Sequence, residues 1–75
     1  MYFDVLKQIL EEDFFVADEI TPESRFIEDL GLDSLLVMQL LLQMEEKYGV
    51  TIDGEEIEGI ETIADALKLL EEKIG

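Results

Sequence analysis

Asp33-Ser34-Leu35 puts a serine hydroxyl beside a carboxylate at the point where a long uncharged, largely apolar run begins. A serine attacks only when a base takes its proton, and the chain contains no histidine or cysteine to build the usual relay. Asp33 is a neighbour in sequence and nothing more, so nucleophilic catalysis fails on inventory. The chemistry left to such a hydroxyl is to be modified. A plainer reading makes Ser34 the N-cap of a helix, a position serine fills for structural reasons alone. A phosphodiester on Ser34 would gain roughly 0.3 to 1 kcal/mol from the unpaired N–H groups and dipole of that helix start. Asp33 would repel the phosphate, which suits it to recognition by a modifying enzyme instead.

Acid-rich helical chains also raise calcium binding. With Gly54 as the sixth residue of a calcium loop, Gly49, Thr51 and Asp53 fall at the first ligand positions and Ile60 at the last, where a glutamate is required. Gly31 and Gly59 do no better, and no metal site is expected.

The elements that must position Ser34 follow from apolar spacing. Phe3, Leu6, Ile9 and Leu10 predict a first helix over residues 2–15. From residue 16 to 33 the turn formers Thr21-Pro22, Ser24 and Gly31 break the periodicity, while Ile20, Phe26, Ile27, Leu30 and Leu32 can hold this long loop on the core. A second helix runs from Ser34, as N-cap, to about Tyr48, with Gly49 free to adopt the left-handed closing conformation. Asp53 and Glu56 stand in capping-box spacing before a short third helix stopped by Gly59. Thr62 and Asp65 repeat that spacing before a last helix reaching about Lys73. No strand pattern and no internal repeat is found. The expected fold is all-α: a small four-helix bundle of three main helices and one short one, a single domain over residues 1–75.

The second helix is apolar on two sides. Val37, Leu40, Leu41, Met44 and Tyr48 form a core stripe; Leu35, Met38 and Leu42 form another nearly opposite. Either the long loop covers part of the second stripe, or Leu35, Met38 and Leu42 dock other proteins, with flexible Met38 suited to several partners.

Composition narrows the partners. Twenty Asp and Glu against five Lys and Arg leave a net charge of −15, which argues against nucleic acid and favours basic proteins, steered by a field that salt weakens. A 48% hydrophobic content at helical spacing argues against disorder. No signal peptide or membrane-length segment is visible, and the absence of cysteine suits the cytoplasm.

Asp33-Ser34-Leu35 alone is a weak signal. Joined to Ile20-Thr21-Pro22-Glu23, Phe26-Ile27-Glu28-Asp29-Leu30-Gly31, Glu45-Glu46-Lys47-Tyr48, Ile52, Glu55-Glu56 and Ile60-Glu61-Thr62-Ile63, it resembles the acyl carrier proteins from about Phe3 to Leu70. Carrier proteins of nonribosomal peptide synthesis differ, typically showing a Gly-Gly-His-Ser type of motif. The resemblance implies that a phosphopantetheinyl transferase attaches 4′-phosphopantetheine to Ser34, with Asp33 read by that enzyme. Acyl groups would then ride as thioesters on the arm, which supplies the sulfur the chain lacks. It implies partners of the acyl-ACP synthetase, ketosynthase or acyltransferase type, a monomeric carrier without enzymatic activity, and service in fatty acid, lipid, lipopolysaccharide-precursor or polyketide synthesis. Partner contacts would fall on Leu35, Leu36, Met38, Gln39 and Leu42 and on the acids Glu45, Glu46, Glu55 and Glu56, though surface charge of this kind also serves simply to keep a greasy helix soluble.

An acyl chain folded between the helices would meet Phe26, Ile27, Val37, Leu40, Leu41 and Met44, then Tyr48, Ile52, Ile57, Ile60, Ala66 and Leu69, all of which are equally ordinary core positions. Leu36 and Gln39 depart from the family, where acids are common, and imply specialised partners with more apolar surfaces. The competing reading is a non-catalytic helical interaction module with Ser34 unmodified.

Overall fold

The computed structural model describes residues 2–74. Four helices follow in order: α1 (Tyr2–Glu12), α2 (Ser34–Tyr48), α3 (Gly54–Glu58) and α4 (Ile63–Ile74). Among the described residues there is no strand, and the expected all-α bundle with its long first loop is the fold observed. α1 packs against α4. Leu6 and Leu10 of α1 and Ala66 and Leu70 of α4 are fully buried there.

α1 stops before the predicted residue 15. Phe15 takes a left-handed backbone conformation, φ 56°, that no residue inside a helix can hold. The N–H groups of Asp13 and Val16 turn back to the carbonyls of Ile9 and Leu10 at 2.8 and 3.0 Å, closing the helix, and Phe15 is left 83% exposed. α2 closes as its sequence predicts. Gly49 sits at φ 67°, and the N–H groups of Gly49 and Val50 both donate to the Glu45 carbonyl, at 2.8 and 3.2 Å.

The loop over residues 13–33 is anchored in two ways. Inward, Val16, Ile20, Phe26, Leu30 and Leu32 are buried; Ile27 is not, and points away from the core at 54% exposure. Buried Ser24 tightens the turn around Pro22, its Oγ accepting the Thr21 N–H at 2.9 Å while its own N–H donates to the Thr21 carbonyl at 3.0 Å. The loop is also stitched to the α3–α4 connection and the first residues of α4. Phe26 N–H donates to the Glu61 carbonyl, Ile63 N–H to that of Ser24 and Ala64 N–H to that of Pro22, at 3.0, 3.0 and 2.8 Å, framing an antiparallel bridge between Arg25 and Thr62. At the other end of the molecule the rings of Tyr2 and Tyr48 meet edge to face, 5.4 Å between centroids.

Candidate functional site at the start of helix α2

Asp33, not Ser34, caps α2. Its backbone is extended (φ −108°, ψ 178°) and its Oδ1 accepts the Leu36 N–H at 2.9 Å, so Ser34 becomes the first helical residue. Aspartate at the cap satisfies the helix start by itself and adds a negative charge that suits the dipole. The consequence falls on the serine. Ser34 is exposed, and its Oγ makes no hydrogen bond among the described residues. Ser24, the other serine of the chain, is buried at 7% exposure with its hydroxyl bound to Thr21.

Ser34 opens on a cleft of about 640 Å³ between the long loop, the first turns of α2, and α3 with the segment that follows it. Phe26, Val37, Ile57 and Ile60 give it apolar walls, with Ile27 and Met38 nearer solvent; Arg25, Glu28, Glu58 and Glu61 bring charge to it. Of the side chains expected to meet an acyl chain, Phe26, Ile27, Val37, Ile57 and Ile60 line this cleft. Leu40, Leu41, Met44, Ile52, Ala66 and Leu69 are sealed in the core, and Tyr48 is half-buried against it, apart from the cleft.

The expected docking face divides as well. Leu35, Met38 and Leu42 are exposed at 61, 44 and 48%, so the loop does not cover the second apolar stripe of α2. Gln39 is exposed, but Leu36 is half-buried against the core. Of the acids, Glu46 and Glu55 face solvent and Glu45 is half-buried. Glu56 is engaged: its Oε1 accepts the Asp53 N–H at 3.0 Å and meets Lys73 Nζ at 3.0 Å. The hydrogen bond from the Asp53 backbone, then the Lys73 ammonium, hold its carboxyl below the ordinary glutamate range. Sequence reasoning gave no site role to Arg25, Glu28 or Glu61 and placed Glu58 only among the acids expected to draw in partners; Arg25 being the only arginine was the one available signal for this cluster.

A family model described as a phosphopantetheine attachment site matches residues 4–70. The chain is 41% identical over 70 residues to an acyl carrier protein of Sulfurovum sp. (strain NBC37-1), covering 92% of this chain and 93% of the relative. The chain belongs to the acyl carrier protein family. An acyl carrier protein of Helicobacter hepaticus is 44% identical over 70 residues, covering 92% of each chain. A solved structure of a candidate acyl carrier protein from Mycobacterium tuberculosis superposes with a TM-score of 0.82 over 91% of this chain and 92% of that one, and at 22% identity it speaks to the fold.

The cofactor of the family is 4′-phosphopantetheine, whose attachment requires an accessible hydroxyl and room for a flexible arm. Both are available here, in a free serine hydroxyl at the mouth of a part-apolar cleft. Family membership also brings a phosphopantetheinyl transferase and acyl-handling enzymes as partners. Among the described residues no helix is long and apolar enough to cross a membrane, and no group of His, Cys, Asp or Glu could grip a metal ion.

Proposed function

We propose that this carrier receives 4′-phosphopantetheine on Ser34 and presents acyl groups as thioesters on the arm, acting as a carrier and not a catalyst. The observation that carries this is the idle hydroxyl. Because Asp33 satisfies the helix start, Ser34 Oγ has no structural duty, while Ser24 is buried and bonded. Asp33 Oδ1 is taken by the Leu36 N–H, and among the described residues no carboxylate is hydrogen-bonded to Ser34 Oγ to activate it. Intact mass before and after incubation with a broad-specificity phosphopantetheinyl transferase, coenzyme A and magnesium tests the reading. One phosphopantetheine should be gained, and none by Ser34→Ala; an unmodified but folded wild-type protein would refute it.

Partner choice is read from the same helix. Leu35, Met38 and Leu42 offer apolar contact, and Leu36 and Gln39 stand where acids are common in the family, so the enzymes that act on this carrier present less basic, more apolar surfaces around the loaded serine. Replacing Leu36 by Asp and Gln39 by Glu should raise turnover of the loaded protein by housekeeping fatty acid synthesis enzymes. Equal turnover in a variant whose helicity is intact would sink the idea.

A further inference from the structure

Among the described residues, the cleft beside Ser34 has one cation on its boundary. Of the five basic residues in the chain, Arg25 alone lines it, among the carboxylates of Glu28, Glu58 and Glu61. Asp33 adds a further negative charge next to the serine. A phosphodiester arriving there meets repulsion from every ionised side chain around it except Arg25.

Arg25 has a fixed root and a loosely held head. Its N–H donates to Asp29 Oδ2 at 2.8 Å, its carbonyl accepts the N–H groups of Asp29 and Leu30 at 3.0 Å each, and it is bridged to Thr62. The side chain is 56% exposed and its guanidinium pairs with Glu28, itself 66% exposed. A solvent-exposed pair of this sort is weak and readily exchanged. Glu28 first, with Asp29 and Glu61 behind it, raises the pKa of a guanidinium that is always charged. A phosphodiester offers two unesterified oxygens in much the arrangement of a carboxylate, and the guanidinium fork binds either one bidentately.

We propose that Arg25 is a positioning residue for the prosthetic group, its guanidinium passing from Glu28 to the phosphodiester on Ser34 and so holding the arm along the cleft. The proposal rests on the reading of Ser34 as the attachment site. Glu28 is the competitor in this scheme, which gives the two residues opposite effects: losing Arg25 frees the phosphate, and losing Glu28 tightens its hold. A purely structural ion pair would make the two losses act alike.

The experiment is phosphorus NMR of the loaded protein from low to high salt, on wild type, Arg25→Gln, Arg25→Lys and Glu28→Gln, each first checked for loading by mass. Screening should displace the wild-type phosphodiester resonance as the pair breaks. Arg25→Gln should lose most of that displacement, Arg25→Lys should keep part of it, and Glu28→Gln should enlarge it. Matching salt responses in wild type, Arg25→Gln and Glu28→Gln, all loaded, would overturn the role of Arg25 and leave Ser34 as the attachment site. Failure of wild type to load would overturn both. Should Arg25→Gln not fold, a Glu28→Gln response no larger than that of wild type overturns the role by itself.

Discussion

The starts of α2 and α4 pair the same side-chain types, an aspartate and a hydroxyl, in different registers, and the difference decides what each hydroxyl is free to do. At α4 the hydroxyl is the cap: Thr62 Oγ1 accepts the Asp65 N–H at 3.2 Å, while Asp65 Oδ2 takes the N–H groups of Glu61 and Thr62 at 3.0 and 3.1 Å. At α2 the aspartate is the cap and the hydroxyl comes one residue later, where the helix has no use for it. The position that would close a capping box at α2 is occupied by Leu36, half-buried against the core. One helix start is a closed structural device, and the other is half a device with an unbonded hydroxyl left over.

The strongest way to break this comparison is to remove the two hydroxyls separately. Ser34→Ala should abolish phosphopantetheine transfer and leave the melting temperature within error of wild type. Thr62→Ala should load normally and lose about 1 kcal/mol of stability, the usual cost of a lost cap. Chemical denaturation and intact mass on both proteins read the four outcomes, and a marked loss of stability in Ser34→Ala would mean that its hydroxyl is not idle.

Asp33 is the next point of attack. Asp33→Ala should destabilise by roughly 0.5 to 2 kcal/mol, whereas Asp33→Asn should stay near wild type, because asparagine caps about as well. If both melt alike, the bond to Leu36 is not what holds the α2 start. With the cap retained in Asp33→Asn, any slowing of transfer reports recognition of the charge itself.

A smaller effect should follow pH. The N–H groups of Glu61, then Thr62, hold the Asp65 carboxyl below its ordinary value. A folded-state pKa below the unfolded one contributes stability that is present above the unfolded value and lost as pH falls through the folded one. The melting temperature of wild type should therefore exceed that of Asp65→Asn at neutral pH, and the gap should close as pH falls below about 4. A gap independent of pH would show that the charge of Asp65 adds nothing to its hydrogen bonds.

The smallest effect belongs to the whole chain. A net charge of −15 favours expansion, so moderate salt should raise the melting temperature of wild type, and an unchanged value would dismiss self-repulsion as a factor.

Much of this was legible in the residues. The order of helices, the Gly49 closure of α2, the Thr62–Asp65 cap and the buried stripe of Val37, Leu40, Leu41 and Met44 all follow from short-range rules about spacing, backbone freedom and side-chain reach. Other features were misplaced for equally local reasons. Two good capping residues stood side by side at Asp33-Ser34, and spacing alone could not say which would take the extended conformation. The spacing of Phe3, Leu6, Ile9 and Leu10 carried no stop signal, and the left-handed backbone at Phe15 ends the helix short of residue 15.

By itself, the sequence determined an acidic all-α chain with one serine at the head of a helix apolar on two sides, because charge, inventory and periodicity are properties of the chain; the carrier role came from its resemblance to a family. Only the tertiary structure decided that Ser34 is unbonded, that the second stripe of α2 stays uncovered, and that Arg25 shares a cleft with the serine. The first follows from Asp33 taking the cap, whereas the other two depend on where the long loop lies. The loop is held in place by a hydrogen bond from the Phe26 N–H to Glu61 and by the Pro22 and Ser24 carbonyls accepting from Ala64 and Ile63, a pairing far along the chain that no local pattern encodes.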